Sequence, residues 1–234
     1  YTITGTNDAP VVTADETGAV TEGDIGDVAT ASGSISISDV DADDAPQFNN
    51  VASTAGDNGY GDFALLDGTW TYTLDQSAVQ DLDAGDVVDD TITFVATDGT
   101  TQEIKVTITG TNDGPVAQAD NFNVAEDVAV VTGNVSATDA DDNADLTFAL
   151  DAPAPAGLMF NDDGSYSFDP SNAAYQGLGA GESTTLTIPY TVTDDQNASS
   201  QANLVITVTG ANDGPIAVAD TDAITEDALD NTVS

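Results

Sequence analysis

Large apolar residues stand at every second position through much of this chain. Trp70, Tyr72 and Leu74 are separated by Thr71 and Thr73, Ile92 and Phe94 by Thr93, and Ile104, Val106 and Ile108 by Lys105 and Thr107. The pattern returns about a hundred residues on, with Leu186, Ile188, Tyr190 and Val192, then Leu204, Ile206 and Val208. A period of two puts one face of a strand in a core and the other in water. The spacing predicts strands near 9–14, 28–38, 48–54, 63–66, 69–74, 91–97 and 102–109, with Gly/Asp/Asn turns between them. No amphipathic helix of convincing length interrupts the series.

Seven short strands per hundred residues describe an all-β chain of immunoglobulin-like β-sandwich domains in tandem. An odd number of passes brings the chain in at one end of a sandwich and out at the other, so successive domains stack end to end as a rod. The expected domains are 8–112 and 113–212, preceded by the end of another repeat and a linker at 1–7. Residues 213–234 read as a linker and the start of a truncated third repeat. Trp70, Tyr72, Tyr166 and Phe168 belong to the cores.

One hexapeptide recurs at the domain boundaries: Gly5-Thr-Asn-Asp-Ala-Pro10, Gly110-Thr-Asn-Asp-Gly-Pro115 and Gly210-Ala-Asn-Asp-Gly-Pro215, 105 and then 100 residues apart. Asn-Asp offers adjacent oxygen ligands, Gly lets the backbone turn, and Pro stiffens the exit. These are the parts of a rigid, cation-bound joint.

Charge sharpens that reading. There are 42 acidic side chains, 36 of them Asp, against a single cation, Lys105, and the net charge is -41. Nucleic acid and anionic membrane surfaces repel such a chain. Asp dominates where short carboxylates line loops and hold hard cations, and a halophile-like solvated surface contributes as well. With no Cys and no His, disulfides, thiolate metal sites and imidazole ligands are excluded. No apolar stretch is long enough to span a bilayer.

Strand counting assigns the acidic loops to ends of the rod. Glu22 and the loop Leu82-Asp-Ala-Gly-Asp86 lie at the far end of the first domain, and Asp39, Asp41 and Asp98 at its near end. Their counterparts in the second domain are Glu126 and Glu182, then Asp139, Asp141 and Asp194. At the middle joint this assembles Glu22, Asp86, Asn112, Asp113, Asp139 and Asp141, with Asp194 as a further candidate. Six or seven oxygen donors without nitrogen or sulfur select Ca2+. Without a cation, carboxylates about 6 Å apart repel by roughly 1–2 kcal/mol per pair. Incomplete versions are expected at Asn7 and Asp8, and at Asn212 and Asp213.

The first domain resembles the VCBS repeat of large bacterial surface proteins, through Gly33-Ser-Ile-Ser-Ile-Ser-Asp-Val-Asp41, Asp67-Gly-Thr-Trp-Thr-Tyr-Thr-Leu74, Asp98-Gly-Thr-Thr101 and Ile108-Thr-Gly-Thr-Asn-Asp113. The second is similar to the bacterial cadherin-like repeat, through Ala137-Thr-Asp-Ala-Asp141, Asp163-Gly-Ser-Tyr-Ser-Phe168, Tyr190-Thr-Val-Thr-Asp194 and Val208-Thr-Gly-Ala-Asn-Asp213. Its glutamate, linker and Asp-x-Asp also resemble the interdomain calcium ligands of cadherins in order and rough spacing. Gly179 stands where the first domain has Asp83, which favours Asp86 over Asp83 as a ligand. The resemblance implies extender repeats of a type I-secreted, RTX-type adhesin on the surface of a Gram-negative bacterium. The implied partners are neighbouring repeats of the same chain, with end-to-end or lateral self-association open.

Two other functions compete. Thr185, Thr187, Thr191 and Thr193 suggest a glycan- or ice-binding face, which needs a flat Thr array free of charge; β-propensity alone explains them. A carboxylate-pair glycosidase is the only chemistry this composition easily supports, yet nothing in the sequence frames a cleft, so the chain reads as non-enzymatic. The stretch Gly56-Asp-Asn-Gly-Tyr-Gly-Asp62 resembles one calcium-binding nonapeptide unit and, unrepeated, reads as a turn. Residues 216–234 open a third repeat (Ile216, Glu226, Asp227) without strands to complete it. Either both ends are mobile or they dock against another copy's ends; mobility is the favoured expectation. Limited proteolysis in calcium should then trim both termini and stop near 6 and 215. Protection of the tail beyond 220 in a monomeric sample contradicts this, and protection only at high concentration favours end-to-end docking.

Overall fold

The computed structural model describes residues 1–41, 43–215 and 217–221; the expected opening of a third repeat, with Ile216, Glu226 and Asp227, falls largely outside them. The first sandwich contains β1 (Val11–Ala14), β2 (Thr17–Thr21), β3 (Thr30–Ser38), β4 (Val51–Ala55), β5 (Gly61–Leu66), β6 (Thr69–Leu74), β7 (Val87–Val95) and β8 (Thr101–Thr109). One sheet has the order β1-β3-β6-β5-β4 and the other β2-β8-β7. Strand β6 follows the alternation closely, with Trp70, Tyr72 and Leu74 buried and its threonines exposed. These three side chains pack with Phe63, Leu65, Ile104, Val106 and Ile108 in one core.

There are eight strands rather than seven because the first pass is divided between the sheets. Strand β1 pairs antiparallel with β3, and β2 then crosses to pair parallel with β8, from Thr17↔Lys105 to Thr21↔Thr109. Small residues permit this crossing and hide it from a hydrophobic pattern. A Cβ on Gly18 would stand 2.9 Å from Trp70 Cη2, and one on Gly33 2.6 Å from Trp70 Cζ2 and Nε1. The indole nitrogen donates to Asp15 O at 2.9 Å, where the chain changes sheet. Because β1 and β2 form one excursion, the chain still makes seven passes and leaves at the end opposite its entry.

The second sandwich contains β9 (Val116–Gln118), β10 (Asp120–Ala125), β11 (Val131–Asn134), β12 (Ser136–Thr138), β13 (Thr147–Leu150), β14 (Leu158–Phe160), β15 (Ser165–Phe168), β16 (Ser183–Thr193) and β17 (Ser199–Thr209). Its sheets run β10-β17-β16-β13, β11-β15-β14 and β12-β9. The same devices recur. Strand β10 pairs parallel with β17, and Gly133 lies opposite Tyr166 as Gly33 lies opposite Trp70. Phe168, Tyr190, Leu204, Ile206 and Val208 form a separate core. Residues 1–9 adopt no strand and are exposed.

The linker glycines have a role different from turning. Gly110 and Gly210 are absent from the positive-φ residues. A Cβ on Gly110 would lie 2.5 Å from Asp83 O and 2.7 Å from Leu82 O; on Gly210 it would lie 2.3 Å from Gly179 O. The second and third hexapeptides therefore begin where their backbone presses on a loop of the preceding sandwich, whereas Gly5 has no atom within 4 Å of such a Cβ.

One buried acid of the first domain belongs to the fold. Asp90, in β7, is fully buried and accepts from the backbone N–H of Asn58 (3.0 Å), Tyr60 (3.1 Å), Gly61 (3.1 Å) and Thr91 (3.0 Å) and from the Tyr72 hydroxyl (3.2 Å). A buried carboxylate is tolerable only when donors replace its water. The Gly56–Asp62 stretch is thus the β4–β5 turn wound around a carboxylate, and a Cβ on Gly56 would collide with both Asp90 oxygens at 2.3 Å. Asp90→Ala strands several donors, each worth about 1–3 kcal/mol when buried and unpaired. It is expected to destabilise the first domain by about 3 kcal/mol or more, with Asp90→Asn intermediate. Urea unfolding followed by Trp70, the single tryptophan, reads this domain; an unchanged midpoint contradicts the assignment.

Candidate metal centre

Strand β8 ends at Thr109, and residues 110–115 carry the chain to β9. Along this segment both sandwiches contribute polar groups to one small region. Glu22, just past β2, is buried; its Oε2 accepts from Thr111 N (3.0 Å) and its Oε1 from Gln80 Nε2 (2.9 Å). From the other side, Asp141 Oδ2 accepts from Asp113 N (2.9 Å), and Asp139 Oδ1 accepts from Asp141 N (3.2 Å). Asn112 Nδ2 donates to Asp113 O (2.7 Å) and to Asp194 Oδ2 (3.0 Å). Asp194 is itself buried, its Oδ1 capping the β16–β17 turn through Gln196 N (2.9 Å) and Ala198 N (2.8 Å). A direct backbone bond, Asp142 N to Asp81 O (3.1 Å), ties the two sandwiches together.

Three carboxylate oxygens here are buried with no hydrogen-bond partner: Asp113 Oδ2, Asp139 Oδ2 and Asp141 Oδ1. Leaving buried acceptors unpaired is costly. The electrostatics carry the same strain. Burial first, then the charges of Asp113 and Asp139 among others, pushes the Asp141 carboxyl up to about 6. Asp113 is raised by burial and then by Asp24 and Asp139. Glu22 is raised by burial, an effect the Thr111 bond opposes, and by Asp113, Asp141 and Asp81. Asp83 is raised by burial and then by Asp86, Asp195, Asp142 and Asp139. Oxygen-only donors, several ionisable and some without a proton to accept, fit a hard divalent cation.

The two outer hexapeptides show the halves of this arrangement separately. At the first, Asp8 N donates to Asp41 Oδ2 (2.8 Å), Asp41 N to Asp39 Oδ1 (2.9 Å) and Asn7 Nδ2 to Asp8 O (2.8 Å). Asp39, Asp41 and Asp44 each bring an oxygen within 4.8 Å of the others. Asp98 lines the adjacent cavity with Asn7 and Asp39, but its carboxylate is engaged by Thr100, at 3.0 Å from N and 2.9 Å from Oγ1, which lowers its pKa. At the last, Ala211 N donates to Glu126 Oε1 (2.6 Å) and Asn212 Nδ2 to Asp213 O (3.3 Å). Glu126 is fully buried, and its Oε2 has no partner. Glu182 is exposed, and its Oε2 accepts from Gly179 N (2.9 Å).

Not every expected ligand faces the centre equally. Asp86 is exposed, and its backbone carbonyl holds Gly110 N at 2.8 Å. Asp83, which the sequence comparison ranked below it, is half-buried and feels three acids of the second sandwich. Asp24 and Asp142 are additional contributors to the local field; each lies in an acid-rich loop where nothing in the sequence distinguishes it from its neighbours.

Residues 112–210 match the family profile of the bacterial cadherin-like domain. No curated protein matches the chain. Among solved structures, the chain is similar to protocadherin gamma B7 extracellular cadherin domains 1–4, with 18% identity, 91% of this chain and 54% of that one covered, and a TM-score of 0.46. For mouse cadherin-23 EC22–24 the figures are 17%, 86%, 67% and 0.48. For the protocadherin gamma B4 extracellular domain they are 15%, 86%, 33% and 0.50. The chain thus spans about half the length of the protocadherin gamma B7 structure. At 15% identity and a TM-score of 0.50, the likeness to the protocadherin gamma B4 extracellular domain shows the fold alone, a cadherin/immunoglobulin-like sandwich.

The raised carboxyls give a signed pH response. In the folded, metal-free chain each holds its proton more tightly than an ordinary carboxyl does. For Asp141 the contribution to stability is complete below the ordinary Asp value of 3.8 and is lost as pH rises through about 6. The metal-free melting temperature is therefore expected to fall between pH 4 and pH 6.5, and Asp141→Asn to flatten that fall. Thermal melts across this range check it; a metal-free melting temperature that rises over the interval contradicts it.

Proposed function

We propose that this chain is a pair of calcium-rigidified extender repeats of a bacterial cell-surface adhesin or extracellular fibre, with no catalytic role. The observation that carries the reading is the set of orphaned oxygens on Asp113, Asp139 and Asp141 at the junction of the two sandwiches. Glu22, Asp83, Asp86, Asn112, Asp113, Asp139, Asp141 and Asp194 are the residues that would hold the ions. Bound calcium supplies positive charge that turns mutual repulsion into a shared attachment. The chain's own part is to deliver ligands from both sandwiches and to fix the linker against each: Thr111 N on Glu22, Asp113 N on Asp141, Asn112 on Asp194.

In this reading the domains are 8–112 and 113–212, the first of VCBS type and the second cadherin-like, within a longer secreted rod. Similarity to a bacterial cadherin-like domain over 112–210 supports an extracellular adhesion or spacer module. Asn7, Asp8, Asp39, Asp41 and Asp98, and likewise Glu126, Glu182, Asn212 and Asp213, are half-sites completed by a neighbouring repeat. The Thr-face alternative finds little support. Thr191 and Gln201 both bond to the Asp151 carboxylate, and Thr185 pairs with Thr207, so the face carries a charge and two of its four threonine hydroxyls, those of Thr185 and Thr191, are engaged.

Calorimetric titration with calcium is expected to show binding that Asp113→Asn/Asp141→Asn weakens at least ten-fold. Each site at a hundredfold excess of calcium over its Kd adds about 2.7 kcal/mol to folding, so the melting temperature rises with calcium. Small-angle scattering in calcium should give a narrowly defined maximum dimension that broadens in chelator. Absence of binding at millimolar calcium, or identical scattering and melting in both conditions, overturns the proposal.

A further inference from the structure

Glu22 is held differently from Glu126, its counterpart in the second sandwich. A short helical turn at Gln76–Ala78 and the residues after it place two glutamines beneath the Glu22 loop. Gln80 Nε2 donates to Glu22 Oε1 (2.9 Å) and to Gly23 O (2.9 Å), while Gln76 Oε1 accepts from Gly23 N (3.1 Å). Glu22-Gly23 is thus gripped through its carboxylate and through both backbone polar groups of Gly23. With Thr111 N on Oε2, each Glu22 oxygen has a donor before any cation is present. In the second sandwich Gln176 Nε2 reaches only Glu126 O, at 3.5 Å, and Glu126 Oε2 is buried without a partner.

We infer that Gln80 is a positioning residue that keeps the Glu22–linker contact assembled in the metal-free state. It brings a neutral donor into a region crowded with anions, where a second carboxylate would repel Glu22 and a hydrophobic residue would leave Oε1 bare. The inference rests on the reading of this joint as a cation site, but its first effect belongs to the metal-free chain. The 110–115 joint then retains its linker register without calcium. The Glu126 side, lacking this donor, depends more heavily on what neutralises its second oxygen.

The test is amide hydrogen exchange of Thr111, whose N–H ends on Glu22 Oε2, in the full chain at pH 7 in chelator. Gln80→Met preserves bulk and removes the donor; Gln80→Lys preserves a donor. Loss of a hydrogen bond to a charged group should speed Thr111 exchange about ten-fold in Gln80→Met, with Gln80→Lys close to wild type. A role in packing alone gives the opposite order, and Thr111 exchange unchanged by Gln80→Met overturns the inference. Calcium added to Gln80→Met should restore protection. If calcium restores nothing and binds neither variant nor wild type, the cation reading fails, whereas the chelator comparison still decides the role of Gln80.

Discussion

Asp113 Oδ2, Asp139 Oδ2 and Asp141 Oδ1 are withdrawn from water with no donor in reach, inside a chain that has 42 acids and one basic residue. No side-chain cation is available to pair with them, since Lys105 is engaged by Asp89 at 2.9 Å on β7 and β8. Backbone amides carry part of the load: Thr111 N for Glu22, Asp113 N for Asp141, Asp141 N for Asp139. These bonds set the path of the linker between the sandwiches. The path of the chain and the placing of its acids are therefore one problem, solved by the same few N–H groups.

Asp90 shows what the fold does when it needs a buried carboxylate for its own sake. It surrounds the group with four backbone donors and a tyrosine hydroxyl. Burial first, and then the charge of Asp90, holds the Tyr72 hydroxyl protonated well above its ordinary range, so that it remains a donor. Set beside Asp90, the carboxylates of the joint are conspicuously under-supplied. The contrast is internal to one chain, and it separates an acid whose oxygens are surrounded by donors from acids that keep bare oxygens at the joint.

How much of this was legible in the sequence depended on the range of the signal. Period-two alternation is local, so Thr69–Leu74 and Thr101–Thr109 could be placed within a residue or so, and Trp70 and Phe168 assigned to cores. Strand β2 is not local: Thr17-Gly-Ala-Val-Thr21 lacks bulk on one face because the Trp70 ring, some fifty residues on, occupies that space. The repeated Asn-Asp and Asp-x-Asp marked the middle joint, and strand parity brought Glu22 to it. Gln80 carried no such mark, being an ordinary polar residue whose meaning comes from a loop 58 residues earlier. Asp90 sits in an acidic stretch from Asp86 in which only the distant Gly56–Gly61 turn singles it out. The linker glycines were recognisable by their repetition, but their reason, close approach to a carbonyl rather than a left-handed turn, required coordinates.

The parallel pairing of entry and exit strands bears on how such a chain answers tension. In the first sandwich β2 runs alongside β8 over five residue pairs, and in the second β10 runs alongside β17 over six. A pull applied to the two ends of either sandwich draws these neighbours in opposite directions along their common axis. The inter-strand bonds are then loaded in shear, so they share the force and must fail together, whereas a hairpin peeled from its end breaks one rung at a time. Switching sheets after β1 and after β9 thus places the strongest mechanical element of each sandwich directly in the line of force.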